Sequence, residues 1–213
     1  RRRERLEAVA AEVGGRAVAC DVSTFAGAER LRTAVAAGAG EGREEGRGED
    51  GGDAGRVDIL VNAAGSFDLA PVAETSPEMF ERMVAGNLTA PFLAIRAFLP
   101  GMLAAGRGDI VTIGSVAGRK AFPSNGAYSA AKFGVRGLHA VLDEEVRGTG
   151  VRASLVEPAA TDTGIWDPLD PDGREDLPSR SAMLPPERVA DAVLYIVTRS
   201  PEVRMPVVAV ERS

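Results

Sequence analysis

The 213-residue sequence predicts an α/β fold, a doubly wound parallel sheet with helices on both faces, and three observations carry that prediction. Short apolar runs alternate with helical stripes along the chain, the order that builds successive strand, helix, strand units. The second of these runs empties into a turn of small residues, Asn62-Ala63-Ala64-Gly65, where backbone can approach a ligand closely. A hydrophobic content of 45% over this length suffices for one substantial core, so a single domain over residues 1–213 is expected.

Residues 3–13 carry Leu6, Val9, Ala10 and Val13 on one helical stripe, and Gly14-Gly15 supplies the stop. Residues 16–22, which include Cys20, then read as a short buried strand, and a helix with Leu31 and Val35 follows over 24–37. Residues 38–55 hold glycine and charge with nothing apolar larger than alanine, too little to order themselves. They are expected to form a flexible surface insertion; a linker between domains is the competing view, and the continuous alternation on either side favours the insertion. The next strand is 57–62. Ser76-Pro77-Glu78 is a helix start, with serine as N-cap and proline in the first turn, and Asn87 falls near the junction of two helical segments after Gly86. A long helix with Phe92, Ile95 and Leu99 leads to the strand 109–114 and then to a helix over 125–147. Strands at 151–156 and 206–210 flank the loop 164–184 and a helix from Pro186 to Val197, giving five strands in all.

A net charge of −6 gives no electrostatic support for a nucleic-acid partner, Arg1-Arg2-Arg3 being a local exception. One cysteine excludes an intramolecular disulfide framework, and one histidine, His139, expected on a helix surface, leaves no histidine-based metal cluster, so no metal site is expected. No apolar run approaches the roughly 18 residues of a membrane span, and no signal peptide is visible. The expectation is a soluble, cytoplasmic protein.

Chemistry concentrates between Ser115 and Lys132. Tyr128 and Lys132 lie four residues apart on a predicted helix and so share one face. A phenol with a pKa of about 10 exchanges protons poorly at neutral pH, and an ammonium one turn away favours its phenolate. Ser115, at the end of the preceding strand, could hold a carbonyl or alcohol oxygen against that phenol. Alone, a tyrosine and lysine at this spacing are as readily a half-buried ring and a solvated amine.

The whole string, Gly114-Ser-Val-Ala-Gly-Arg-Lys-Ala-Phe-Pro-Ser-Asn-Gly-Ala-Tyr-Ser-Ala-Ala-Lys132, resembles the short-chain dehydrogenase/reductase family, over about residues 4–199. The resemblance implies a Rossmann-like fold, NADP(H) or NAD(H), and a small carbonyl or alcohol substrate. It implies Tyr128 as general acid and base and Lys132 as the group that holds the nicotinamide ribose and lowers the phenol pKa. Ser115 would orient the carbonyl, and Asn87, 28 residues before Ser115, would support a relay water. On the cofactor side it implies Asn62, Ala63 and Gly65 along the adenosine, with Ala63 replacing the family's second asparagine. Asp21 and Val22 would border adenine. Pro158, Thr161 and Thr163 would form the turn that cups the nicotinamide, where Ala159 replaces the usual glycine. Residues 164–184 resemble the family's substrate loop, with Trp166, Pro168, Pro171 and Pro178; a solvated connector anchored by Trp166 is the other reading. Relatives assemble as homodimers or homotetramers.

The family's first strand-helix-strand unit, with its glycine-rich pyrophosphate turn, has no counterpart in this sequence. The expectation is a natural protein about 40 residues longer, or else a remnant that has lost that turn. Arg1 or Arg2 falls near the position that accepts the 2′-phosphate of NADP, which favours NADP(H) over NAD(H); a solvated helix-start charge run reads equally well. The first reading is therefore a carbonyl reductase or alcohol dehydrogenase. The alternative is a catalytically silent Rossmann-like binding or scaffold protein. Sugar-nucleotide chemistry ranks last, since it generally needs a larger C-terminal substrate region.

Overall fold

The structure, a computed structural model, describes residues 3–38 and 56–213. Arg1, Arg2 and the insertion beyond Gly38 lie outside the described residues, so the cofactor role expected of the two arginines has no structural counterpart to report.

Helix α1 (Arg3–Glu12) ends as its glycines dictate: Gly14 adopts a left-handed φ of 64° and Gly15 N–H reaches back to the Ala10 carbonyl at 2.7 Å. No residue of α1 is buried. The strand expected at 16–22 does not form; Cys20 is half-buried and sits in no strand. A strand exists through its ladder, and among the described residues nothing lies alongside this segment to pair with it. Helix α2 (Phe25–Gly38) follows, started by Thr24, whose Oγ1 accepts from Gly27 N–H at 3.0 Å. A side chain at position 27 would meet the Asp21 carbonyl, so the glycine allows the chain to turn tightly into the helix. Helix α2 packs beside the later helix at Ala90–Ala105, with the Arg96 guanidinium over the Phe25 ring at 5.2 Å.

Four parallel strands, β1 (Ile59–Asn62), β2 (Gly108–Ile113), β3 (Val151–Pro158) and β4 (Val207–Val210), form one sheet in chain order. Four of the five expected strands are present. Helices cover both faces, as a parallel sheet requires. On one face α4 (Ala90–Ala105) and α5 (Gly126–Glu145) bring Ile95, Met102, Leu142 and Val146 against Ile110, Val151 and Ala153. On the other, α6 (Pro186–Val197) sets Ile196, with Val189 and Val193, on Val111, Val156 and Val208. Asp109 and Arg152, paired across β2 and β3, form a two-pronged ion pair at 2.7 and 3.0 Å, and the same guanidinium donates to the carbonyls of Arg199, Ser200 and Val203. This clamp locks the amino ends of the strands, and leaves their carboxyl ends as the open rim.

Helix α3 (Pro77–Val84) opens where Ser76 accepts from Met79 N–H at 3.2 Å, and runs through a five-residue π turn, Ala85–Thr89, into α4. Within the continuous helical run Pro77–Ala105, an 18-residue stretch with a mean hydropathy of 1.5 matches a membrane span by length and composition. That qualifies the expectation of no such run: polar residues such as Asn87, Thr89 and Arg96 interrupt the sequence, yet averaging over 18 residues gives an apolar score. Its buried face rests on the sheet and on α5, as a core helix does.

His139 departs from its expected surface position. It is 3% exposed within α5, and both ring nitrogens lack a hydrogen-bond partner. Burial drops its pKa to about 4, against the pull of the Asp143 carboxylate.

Candidate active site

The carboxyl ends of β1, β2 and β3 carry the candidate residues to one rim, the place where open α/β sheets bind ligands. Strand β2 runs through Gly114 to Ser115, whose Oγ accepts from Ala117 N–H at 3.1 Å and caps a short 3-10 turn at Val116–Gly118. That turn lies directly on α5: a side chain at Gly118 would come within 2.8 Å of the Lys132 carbonyl. Close packing at this glycine fixes the distance from Ser115 to the first turns of α5.

Tyr128 and Lys132 stand on that helix. Burial pushes the Tyr128 phenol up to about 12, and its hydrogen bond with the Ser115 side chain draws it partly back. The same burial brings the Lys132 amine down to about 8. Lys132 is 6% exposed; its Nζ donates to the Ile113 carbonyl at 2.9 Å and stands 5.4 Å from the centre of the Tyr128 ring. The expected lowering of the phenol by the lysine is therefore not what this geometry gives. Desolvation dominates both groups and pushes each toward its neutral form, and the ammonium spends its hydrogen bond on the main chain of β2. Tyr128 is held as a protonated acid.

Asn87 occupies the π turn and is 2% exposed. Such widened turns recur at functional sites because they aim a side chain sideways. Its Nδ2 donates to the carbonyls of Ser66 (2.8 Å) and Met83 (3.0 Å), and its Oδ1 accepts from Ser66 N–H at 3.4 Å. The side chain is thus committed to the turn after β1 rather than to Lys132. Gly65 makes that possible, since a Cβ there would come within 2.8 Å of Asn87 Oδ1. Asn62 donates to Thr112 Oγ1 at 3.0 Å, tying β1 to β2 in register, and Ala63 and Gly65 present exposed backbone at the rim.

On the far side of the rim, Ala159 N–H donates to the Val210 carbonyl at 2.9 Å and Thr161 Oγ1 donates to the Ala159 carbonyl at 2.9 Å. Ala159 is not among the residues with positive φ, so alanine meets this turn without strain. Thr163 Oγ1 accepts from Ile165 N–H at 3.4 Å. The segment 164–184 is strapped down: Arg180 pairs with Asp162 (2.6 Å) and Asp167 (2.7 Å), and Thr161 bridges to Leu184. Trp166 donates from Nε1 to the Thr161 carbonyl at 3.0 Å.

Asp21 and Val22 are spent differently. The Asp21 carboxylate accepts from Ser23 N–H (3.1 Å) and Ser23 Oγ (2.7 Å) in the turn before α2, and Val22 is half-buried beside it. Residues 63–65 are exposed at this rim, opposite the turn that carries Thr161 and Thr163. Among the described residues no glycine-rich strand-to-helix turn stands ready for the pyrophosphate of a dinucleotide.

Two features escape the sequence reading. Phe67 packs edge-on against both Tyr128 and Trp166, each ring pair 4.8 Å apart, joining the turn after β1 to α5 and the loop after β3. An aromatic residue two positions past a small-residue turn was its only signal. Glu157 is 1% exposed at the end of β3, between Arg119 and Arg136.

Comparison with known proteins accords with this arrangement. The sequence model of the short chain dehydrogenase family matches residues 1–173. D-threitol dehydrogenase of Mycolicibacterium smegmatis is 35% identical over 204 residues, covering 92% of this chain and 73% of that protein. Other relatives are longer, the chain spanning 13% and 43% of the length of two of them. Among solved structures, a metagenomic short-chain oxidoreductase in complex with NADP superposes with a TM-score of 0.77 at 30% identity, covering 99% of this chain and 82% of that one. The closed form of serine dehydrogenase complexed with NADP+ superposes at 0.80 with 28% identity, covering 98% and 81%.

Proposed function

The chain belongs to the short-chain dehydrogenase family, a family of oxidoreductases, and from that premise we propose that it interconverts a carbonyl and an alcohol by hydride transfer with NADP(H), NAD(H) being the alternative cofactor. The observation that carries the reading is the half-buried Ser115–Tyr128 hydroxyl pair at the open rim of the sheet, with buried Lys132 one helical turn on. The dinucleotide supplies the hydride. This chain's residues do the rest: Ser115 orients the carbonyl oxygen and Tyr128 gives it a proton in reduction, or takes one in oxidation. Asn62, Ala63 and Gly65 would line the adenosine side, and Pro158, Thr161 and Thr163 the nicotinamide side. Lys132 would hold the ribose once its amine leaves the Ile113 carbonyl, and its charge would then help the phenol release its proton. Asn87, its side chain engaged by Ser66 and Met83, would support a relay water through its main chain.

The substrate would be a small alcohol or ketone, its selectivity set by the 164–184 loop and by Phe67, whose ring packs against Tyr128 and Trp166. Exposed Phe92, Phe133 and Val141 on α4 and α5 suit burial in a homodimer or homotetramer. The lone free cysteine suits a reducing cytoplasmic setting. Tyr128→Phe tests the mechanism: turnover, followed as nicotinamide absorbance with a panel of alcohols and ketones, should fall by about 10²- to 10⁴-fold with the fold retained. Turnover within about threefold of the parent would remove Tyr128 as the proton carrier.

A further inference from the structure

Glu157 stands where three catalytic segments meet, and nothing in the proton transfer proposed above uses it. Its carboxylate is 1% exposed and lies on β3 one residue before Pro158. One oxygen, Oε1, accepts from the guanidinium of Arg136, which is one helical turn beyond Lys132 on α5. The other, Oε2, pairs at 3.4 Å with Nε of Arg119, which ends the 3-10 turn begun by Ser115. Arg119 in turn reaches Glu211 just past β4. A single carboxylate therefore holds the serine turn, the tyrosine helix and the strand that feeds the 158–163 turn.

The pairing is suited to holding a geometry rather than to adding stability. A carboxylate removed from water is costly, and here two guanidinium partners offset that cost. Those partners are about a third exposed, at 35% and 39%, so their charges remain partly solvated while the carboxylate between them is fixed. Hydrophobic packing supplies the core of this sheet, and the Glu157 carboxylate is a charged group set into its rim. Misplacement of reacting groups by about 1 Å can cost a hundredfold in rate, so an anchor at this junction has a catalytic consequence without touching substrate.

We propose that Glu157 is a positioning residue, which through Arg119 and Arg136 sets the Ser115 hydroxyl against Tyr128 and Lys132. The inference rests on the carbonyl and alcohol chemistry proposed above for its rate consequence, and on the ion pairs for its placement.

The test is Glu157→Gln in the full chain, which keeps the shape and removes the charge. The expected result is kcat lower by about ten- to a hundredfold with KM within about threefold. A second readout does not depend on turnover. Lys120 and Lys132 are the two lysines of the sequence, so NMR titration resolves the buried amine with the exposed one as reference. Loss of the carboxylate leaves the Arg136 charge uncompensated one turn from Lys132, which should move the Lys132 titration below its parent value of about 8 while Lys120 stays put. An unmoved Lys132 with parental kcat overturns the proposal. So does a loss of kcat matched by an equal rise in KM with Lys132 unmoved, the pattern of a merely structural part. Should Glu157→Gln fail to fold, Arg119→Gln decides: a severalfold drop in kcat at parental thermal stability supports the positioning role, and parental kcat ends it. A parent protein with no turnover removes the proposed function and leaves the lysine titration to judge Glu157.

Discussion

Residues 16–22 and 151–158 are both short apolar runs that follow a pair of helix-ending residues and a glycine, yet the second is a strand buried almost throughout and the first is no strand. Strand β3 pairs with β2 over Val151–Val156 and with β4 over Leu155–Pro158, so it has a ladder along its whole length and on both sides where the two overlap. The 16–22 segment has no such neighbour among the described residues, and the helix before it buries nothing. Apolar composition permits a strand; a pairing partner makes one.

The contrast should be largest in hydrogen exchange. Amides of Val151–Glu157 should exchange at least about a thousandfold more slowly than those of residues 17–20, because the former open only with the whole sheet. Similar rates in the two segments, read by mass spectrometry, would break the comparison. Core substitutions come next. Met102 on α4 is fully buried in the cluster with Ile110, and Met102→Ala should cost about 2–5 kcal/mol by urea unfolding.

Acid should act on the same well-packed half, through His139. Its folded pKa of about 4 lies below the ordinary 6.5, so the stability its neutral ring confers is complete above pH 6.5 and is lost as the pH falls toward 4. The loss is on the order of 3 kcal/mol at pH 4. Comparing urea midpoints at pH 7 and pH 4 should show His139→Gln losing less than the parent; equal losses would assign the acid sensitivity elsewhere. The smallest effect belongs to the other half. Val13 is 72% exposed at the end of α1, and Val13→Ala should change stability by less than about 0.5 kcal/mol. A larger cost would mean that α1 is covered in solution.

Much of the fold was legible because its signals are local. The strands expected at 57–62, 109–114, 151–156 and 206–210 appear within a few residues of those bounds, and the helix expected at 125–147 runs from Gly126 to Glu145. Ser76 capping, Gly14 termination and the junction at Asn87 are each decided within a turn of the residues that signal them. His139 was misread for the opposite reason: a lone histidine suggests a surface, and only the way α5 rests on the sheet puts that side inside. At the candidate site, the sequence placed Ser115, Tyr128, Lys132 and Asn87 by motif spacing, and the structure brings them to one rim. It could not give the state of the tyrosine and lysine, because desolvation depends on everything packed around them.

By itself, then, the sequence determined which segments are helical or apolar, the order in which they alternate, and a chain of hydroxyl, phenol and amine at fixed spacing. Those properties are set by neighbours within about four residues, the range of a helical turn or a strand's alternation. Tertiary structure decided that 16–22 would join no sheet among the described residues, that the Asn87 side chain would serve Ser66 rather than Lys132, and that Glu157 would sit between two arginines. Each of those depends on a partner tens of residues away, whose arrival is fixed only when sheet and helices close on one another.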